Sequence, residues 1–365
     1  MADARKNQAK AACKWRRGRS KRPTKITIRD VVRQTRLSLT TISRALRNQP
    51  GIADSTRDRV KAVAHRLGYV PNLAGAALST GRMHSVVYVL PDVSPIVPGL
   101  LQMEVLKGLI DELARHSYNV TVFSEELLRK LHLTIFDVHR VLHADGVVLV
   151  LEHAEDIAPK ASDLALPMVI VNRLLNSVSA DFVIADDEKG GYLATSHLTK
   201  LGHTRIGHIT SVQNNFGLIR RLRGYEAALR EAGLPVDPGL ISREGLISSE
   251  GGFAATRRLI ESGAAFTALF CSSDVIVPGI LRALRESGRR VPEDVSIVSF
   301  DDHPLAEMLD PPLTTVRKPR YDMGVEAGRL LMKRLSGDLE DDPVTTVLET
   351  RLIERRSSAP PGGSH

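Results

Sequence analysis

The sequence predicts a mixed α/β protein in which a small all-α head precedes two lobes of doubly wound parallel sheet. Three observations carry that prediction. Residues 26–68 show only helical periodicity, and from residue 83 short apolar runs alternate twice over with amphipathic stretches. The positive charge is also concentrated ahead of residue 80. Residues 1–25 hold ten Lys/Arg against Asp3, and residues 26–80 hold nine against Asp30, Asp54 and Asp58. Those are +9 and +6, which leaves −7 for the remainder of a chain whose total is +8. A basic head on an acidic body favours nucleic acid at one end, because phosphate neutralisation drives that binding.

At 365 residues, 42% hydrophobic and 25% charged, the chain can bury a substantial core and divides into two or three domains. Two cysteines, Cys13 and Cys271, make no disulfide framework. No apolar segment follows the basic N-terminus and no run of 18 apolar residues occurs, so neither a signal peptide nor a membrane span is expected. The chain reads as cytoplasmic.

Residues 1–25 are polar and basic and predict disorder, either an arm that tracks phosphates or a tail without a role. In Thr27–Asn48 the apolar residues Ile28, Val31 and Val32, then Ile42, Ala45 and Leu46, mark two short helical faces. Ser38 is placed to cap the second. Two such helices about a tight turn make a helix-turn-helix, whose second helix enters a major groove. Arg44 is assigned to guanine or phosphate, and Leu39 and Thr40 to base edges, Leu39 suiting a thymine methyl. Ser38, Thr41 and Ser43 are assigned to phosphates. Val60, Val63, Ala64 and Leu67 give a third helix that Gly68 stops, with Ala53 at its start and Asp54 as the candidate cap.

Beyond Arg82, SVVYVLPD, YNVTVFS, GVVLVLE and PMVIVNR read as buried parallel strands, and IGHITS, FTALFCSSD and VSIVSFDD repeat the pattern. Ligands of open α/β sheets bind beyond the carboxyl ends of strands. Those ends carry Asp92–Ser94, Asn172-Arg173, Ser211, Ser273-Asp274 and Asp301-Asp302, a set that suits a polyhydroxylated ligand. An enzyme is disfavoured. The adjacent carboxylates Asp186-Asp187-Glu188 and Asp301-Asp302 rarely face one reacting centre. Phosphate-loop and dinucleotide motifs are absent. His139 and His143, four apart, are read as a solvated helix face rather than a metal pair, and Cys271 as a packed core thiol. No cofactor or metal is implied.

The runs DVV…LSLTTISRALRN, STRDRVKAVAHRLGYVPN, DDEKGGYLATSHLTKLGHTRIGHI, VPEDVSIVSFDDHPLAEMLDPPLTTVRKP and LETRLIERRSSAPP resemble LacI/GalR-type repressors from residue 26 to about 360. The resemblance implies a periplasmic-binding-protein-like core of two lobes. It divides the chain into an arm (1–25), a head (26–70), a hinge (71–82), a core (83–356) and a tail (357–365). The N-lobe would take about 83–186 plus 313–342, and the C-lobe about 187–312 plus 343–356. It also implies a hinge helix opened by Pro71-Asn72 that folds on operator DNA and wedges Leu78 into the minor groove. Gly75 weakens that helix, and a plain flexible linker is the alternative. Arg221 and Asp301 match residues that hold effector oxygens, against the alternatives of a surface charge and a helix cap. Ser94 and Asn172 would complete the site with Ser273. Three departures stand out: Thr35-Arg36 in the turn, Ser94-Pro95-Ile96-Val97 without aromatics, and Ser273 where Asn is frequent. The first would shift the angle between the head's helices and adds positive charge near the DNA backbone, and the other two point to an altered effector or a site that has lost its ligand.

The implied function is that of a transcriptional regulator, a repressor, acting as a homodimer or dimer of dimers on double-stranded operator DNA. A sugar, sugar acid or phosphosugar in the cleft would control it. The rivals are a periplasmic solute-binding protein, which has no use for residues 26–80, and a sugar-processing enzyme.

Overall fold

In the computed structural model, the head begins where the sequence places it. The structure describes residues 26–46, 51–69, 82–90, 99–134, 137, 143–150, 166–175, 178–211, 215–243, 247–339 and 342–362. Helices α1 (Ile28–Thr35), α2 (Leu39–Leu46) and α3 (Asp54–Leu67) bury Val31, Ile42, Ala45, Val60, Val63 and Ala64 in a core of their own. Thr27 opens α1 with a reciprocal cap, its backbone N–H donating to Asp30 Oδ2 at 2.8 Å. Ser38 caps α2, accepting from the N–H of Thr41 at 3.1 Å.

The unusual turn is accommodated rather than relaxed. Arg36 adopts the left-handed conformation (φ 58°) that a Cβ disfavours by about 1–2 kcal/mol. Its N–H still bonds Val32 O at 2.9 Å. Thr35 is buried, its hydroxyl donating to Val31 O at 2.8 Å, and Arg59 donates to Thr35 O at 2.8 Å. These bonds close the end of α1. At α3 the expected Asp54 cap is not found. Ala53 is the capping residue and supplies no side-chain bond, while Asp54 lies inside the first turn and pairs with Arg57. Gly68 ends the helix in the left-handed region (φ 68°), as anticipated.

The core forms two six-stranded sheets. Strands β1 (Ser85–Leu90), β2 (Asn119–Ser124), β3 (Gly146–Val150), β4 (Met168–Val171), β5 (Asp181–Ala185) and β11 (Thr345–Leu348) make the first. Its order is β11-β5-β4-β3-β1-β2. Strands β6 (Ile206–Ile209), β7 (Ile241–Ser242), β8 (Ala268–Cys271), β9 (Ser296–Asp301), β10 (Thr314–Arg317) and β12 (Arg351–Ile353) make the second. Its order is β12-β10-β9-β8-β6-β7, parallel except for β12 against β10. Helices α4 (Gly99–Arg115), α5 (Glu125–Lys130), α6 (Asp187–Lys200), α7 (Phe216–Glu231), α8 (Ser249–Glu261), α9 (Val277–Glu286), α10 (Leu305–Met308) and α11 (Arg320–Ser336) complete the lobes.

Pairing shifts the expected lobe boundaries. β10 pairs with β9 and belongs to the second sheet, and β11 pairs with β5 and belongs to the first. The two later crossings between lobes therefore fall at 318–319 and 349–350 rather than at 313 and 343. Strand β2, expected to be buried, is a sheet edge with Val122 42% exposed. Ser357, expected in a tail, is 1% exposed and donates from Oγ to Ile297 O at 2.6 Å, so this segment packs onto the second sheet. His143 sits in a turn (φ 49°), and His139 lies outside the described residues. Residues 1–25 and the hinge positions Asn72, Gly75 and Leu78 also lie outside them.

An uncapped α3 gives a direct test. Ala53→Ser should stabilise the head by about 1 kcal/mol through a new bond to the first turn. Calorimetry of the head's unfolding transition reads it, and an unchanged midpoint would contradict the assignment of Ala53 as the cap.

Candidate functional site

Two sites emerge, one on the head and one between the lobes. On the head, α2 turns Ile42 and Ala45 inward. It leaves Ser38, Leu39, Thr40 and Arg44 exposed and Thr41 and Ser43 half-buried. Leu39 is 53% exposed, which leaves its apolar side chain available to a partner surface. Ser38 Oγ also lies 2.8 Å from Thr41 Oγ1, so its cap role engages the atom assigned to phosphate. The Arg44 guanidinium packs against Gly51, whose φ of 83° suits glycine.

Between the lobes the structure brings Arg221, Ser273 and Asp301 together. Helices α6 and α7 approach so closely that a Cβ on Gly191 would meet Arg221 O at 2.2 Å, and one on Gly224 would meet Glu188 O at 2.0 Å. This contact sets Arg221 against Asp187. Arg221 Nε donates to Asp187 Oδ1 at 2.8 Å, Nη1 to Ser272 O at 2.5 Å, and Nη2 lies 3.5 Å from Asp301 Oδ1. Its guanidinium sits 3.7 Å from the Phe300 ring centroid. Ser273 Oγ donates to Asp301 Oδ2 at 2.7 Å, and Arg320 Nη2 to Asp301 Oδ1 at 2.6 Å. Lys318 Nζ donates to Asp187 Oδ2 at 3.3 Å.

Asp187, Arg221, Asp301, Lys318 and Arg320 are each no more than 7% exposed. Arg221 is thus neither a surface charge nor free, and Asp301 is held by three side chains rather than capping a helix. Asp187, set aside in the sequence as one of three adjacent acids, is a central member, and Lys318 and Arg320 were missed. The legible signal was the polar triplet Lys318-Pro319-Arg320 at the carboxyl end of a buried strand.

Electrostatics follow from burial against pairing. Burial pushes the Asp187 carboxyl up, but Lys318 and Arg221 outweigh it and hold it below the usual carboxylate range. Burial likewise raises Asp301, and Arg320 and Arg221 bring it below that range. Asp274 has no such cation. Burial, reinforced by Asp301, pushes it up to about 7, with Thr315 Oγ1 and the His303 N–H donating to it at 2.8 Å each.

Asn172, at the carboxyl end of β4, is left-handed (φ 77°), as are Asp301 (φ 118°) and Asp302 (φ 54°). Such strain concentrates at functional sites. Asn172 Oδ1, Thr210 Oγ1 and Ser272 Oγ are buried without a hydrogen-bond partner among the described residues. They stand just past β4, β6 and β8, where unspent bonding capacity suits a ligand. A cavity of about 430 Å³ lies between Glu104 and Tyr321 of the first lobe and Asp301, His303 and Glu307 of the second. Ser94 lies outside the described residues. Among the described residues no His, Cys, Asp or Glu cluster could hold a metal, and no helix is long and apolar enough to cross a membrane. Cys271 is fully buried, which pushes its thiol well up.

A pH test isolates Asp274. Its folded pKa is raised, so between pH ~4 and ~7 the native state keeps a proton the unfolded chain has lost, and the Asp274 contribution to stability falls as pH rises through that window. The buried His208 and His203, whose pKa values are lowered, act in the opposite sense and are common to wild type and variant. Asp187 and Asp301 act below that window. Asp274→Asn should flatten the fall, which is on the order of a few kcal/mol at about 1.4 kcal/mol per pKa unit. Urea melts at pH 5 and 8 measure this, and parallel losses in both proteins would refute it.

The comparisons agree with this architecture. Residues 27–72 match the model for bacterial regulatory proteins of the lacI family, and residues 195–358 match that for the periplasmic binding protein-like domain. The transcriptional regulator DegA of Bacillus subtilis is 32% identical over 340 residues, covering 92% of this chain and 99% of DegA. The regulator CelR of Thermobifida fusca is 34% identical over 326 residues, covering 87% and 94%. A solved CelR–cellobiose complex superposes with a TM-score of 0.67 at 31% identity, covering 91% of this chain and 99% of that one. The lac repressor dimer on operator, at 22% identity and a TM-score of 0.71, shares the fold over 92% and 99%. With a third of its residues identical to such relatives across almost its full length, the chain belongs to the LacI family of bacterial transcriptional regulators.

Proposed function

We propose that this regulator binds a palindromic operator as a homodimer, acts as a repressor, and is controlled by a carbohydrate-class effector in the crevice between its lobes. The exposed edge of α2 carries the first part. An uncovered Leu39 beside Thr40 and Arg44 supplies an apolar and a hydrogen-bonding contact for base edges, while Ser38, Thr41 and Ser43 line the approach to phosphates. Asn72 and Leu78 would extend the contact into the minor groove. The unpartnered polar atoms past β4, β6 and β8 carry the second part, since each can bond a hydroxyl without breaking an existing contact. CelR, a relative, is described in complex with cellobiose, which supports a sugar or sugar derivative here.

The dimer reading rests on symmetry and on exposed apolar surface. A single three-helix head reads few base pairs, and a two-fold pair matches a palindrome. On the first lobe Met103 and Ile110 share a face of α4, and Val122, Leu127 and Leu131 are uncovered on edge strand β2, on α5 and just beyond it. A second copy fits there, because edge strand and apolar helix face then bury one another. Effector binding shifts the population of lobe arrangements, by no more than its differential affinity for them.

Arg44→Ala should weaken operator binding by about 1–3 kcal/mol and relax base preference; an unchanged mobility shift would remove the recognition-helix assignment. Asn172→Gly tolerates the left-handed backbone and breaks no internal bond of Oδ1. It should leave DNA affinity intact and abolish the response to whichever sugar releases the wild type. A response that persists would move the effector site elsewhere. Ile110→Asp should give monomers by sedimentation and lose operator binding, whereas an unaltered dimer would place the interface on another face.

A further inference from the structure

Among the buried charges of the crevice, Lys318 is the least hydrogen-bonded. An ammonium carries three donors. Among the described residues its one acceptor is Asp187 Oδ2, at the long distance of 3.3 Å, although the side chain is 5% exposed. A buried charge is tolerated only when paired and hydrogen-bonded. Asp187 is already committed, since Arg221 donates to its Oδ1 from Nε and approaches it from Nη2, both at 2.8 Å. Burial accordingly pulls the Lys318 ammonium below its ordinary pKa, with Asp187 only partly offsetting the loss.

The charge balance is uneven around it. The continuous chain Lys318–Asp187–Arg221–Asp301–Arg320 holds three cations against two carboxylates. Asp274 is occupied by Thr315 and His303 and makes no contact with Lys318. Of the further charges bordering the cavity, Arg317 and Arg355 pair with Asp302 and Arg355 also with Glu307, while Glu104, Asp322 and Arg351 leave one carboxylate over. The excess positive charge is therefore local to the chain that holds Lys318 and not a net charge of the cavity. Glu104, across the cavity on α4, faces Arg320 and Arg317. Lys318 itself stands at the carboxyl end of β10 and borders the cavity, where a bound molecule can reach it.

We propose that Lys318 is a specificity residue that selects an effector bearing an oxyanion, a carboxylate or a phosphate, over the neutral sugar of the same shape. A neutral hydroxyl would accept one bond and leave the buried ammonium with Asp187 as its one anionic partner among the described residues. An oxyanion accepts both remaining N–H groups and gives the buried ammonium a second anionic partner, and charge-assisted bonds of this kind are the stronger ones. The inference rests on reading the crevice as the effector site.

The test is thermal unfolding of the full chain titrated with inorganic phosphate, gluconate, glucose 6-phosphate and glucose at constant ionic strength. At least one of the three oxyanions should give a saturable rise in Tm, and glucose none. A phosphate-only response assigns a phosphorylated effector, and a gluconate response a sugar acid. Lys318→Gln should weaken that ligand roughly tenfold or more, the loss of bonds to a charged donor, and Lys318→Arg should restore most of it. Asp187 retains Arg221 in both variants, so unliganded melting checks that the fold survives. Absence of any saturable oxyanion shift, or an oxyanion affinity unchanged by Lys318→Gln, overturns the inference. Asn172→Gly separates the two failures. A ligand sensitive to that change but indifferent to Lys318→Gln spares the crevice and refutes only the charge selection. A ligand indifferent to both lies elsewhere and refutes the crevice reading too.

Discussion

The core depends on one buried ion chain and on the helix crossing that makes it possible. Gly191 and Gly224 let α6 and α7 touch backbone to backbone, and at that distance Arg221 reaches Asp187, Ser272 and Asp301 at once. Asp187 opens the first crossing between lobes, while Lys318 and Arg320 occupy the second. Thr350, in the third, donates from Oγ1 to Asp186 O at 3.1 Å. All three crossings are therefore tied to the same few residues. Buried charges contribute little net stability compared with apolar packing, but removing one partner leaves the others stranded at a cost of about 3–5 kcal/mol. A change at Arg221 would be felt in folding as well as in binding, because it would leave Asp187 with only the long contact to Lys318 and Asp301 with Arg320 and Ser273.

The head obeys a different rule. Its core is small and made of short side chains, so the turn and caps carry a larger share of its stability. Arg36 in a left-handed conformation and Ala53 without a capping side chain both work against it. Arg59 compensates by donating to Thr35 O, one of the last carbonyls of α1. A head of this kind has little stability to spare and benefits from binding that favours its folded form.

The crevice shows how a binding site differs from a well-packed interior. Some buried polar groups of the lobes are fully bonded, as where Arg334 donates to both oxygens of Asp181 at 2.7 and 2.8 Å. Others away from the strand ends, among them the Tyr118 hydroxyl and Asp145 Oδ2, lack a hydrogen-bond partner among the described residues. At the strand ends the same chain leaves Asn172, Thr210 and Ser272 oxygens unbonded and holds Asn172, Asp301 and Asp302 at positive φ. Strain and unspent bonds persist only where the surroundings over-determine them, and they mark where a ligand is accommodated.

The sequence alone determined the class of the protein. The 3.6-residue period of Ile28–Leu46, the doubled strand-helix alternation and the split of charge require only neighbours along the chain, and the first two are present in the fold. Ser273 and Asp301 were also legible at strand ends, and Arg221, inside α7, through the resemblance of its run to the family. Tertiary structure decided what those motifs could not. That β10 and β11 exchange lobes depends on hydrogen bonding between segments far apart in the chain. That Asp187 and Lys318, 131 positions apart, form one buried pair depends on where two crossings meet. Periodicity records which face of an element is buried. It holds no record of which distant charge is buried beside it, and here the balance of those charges decides what the crevice is fit to hold.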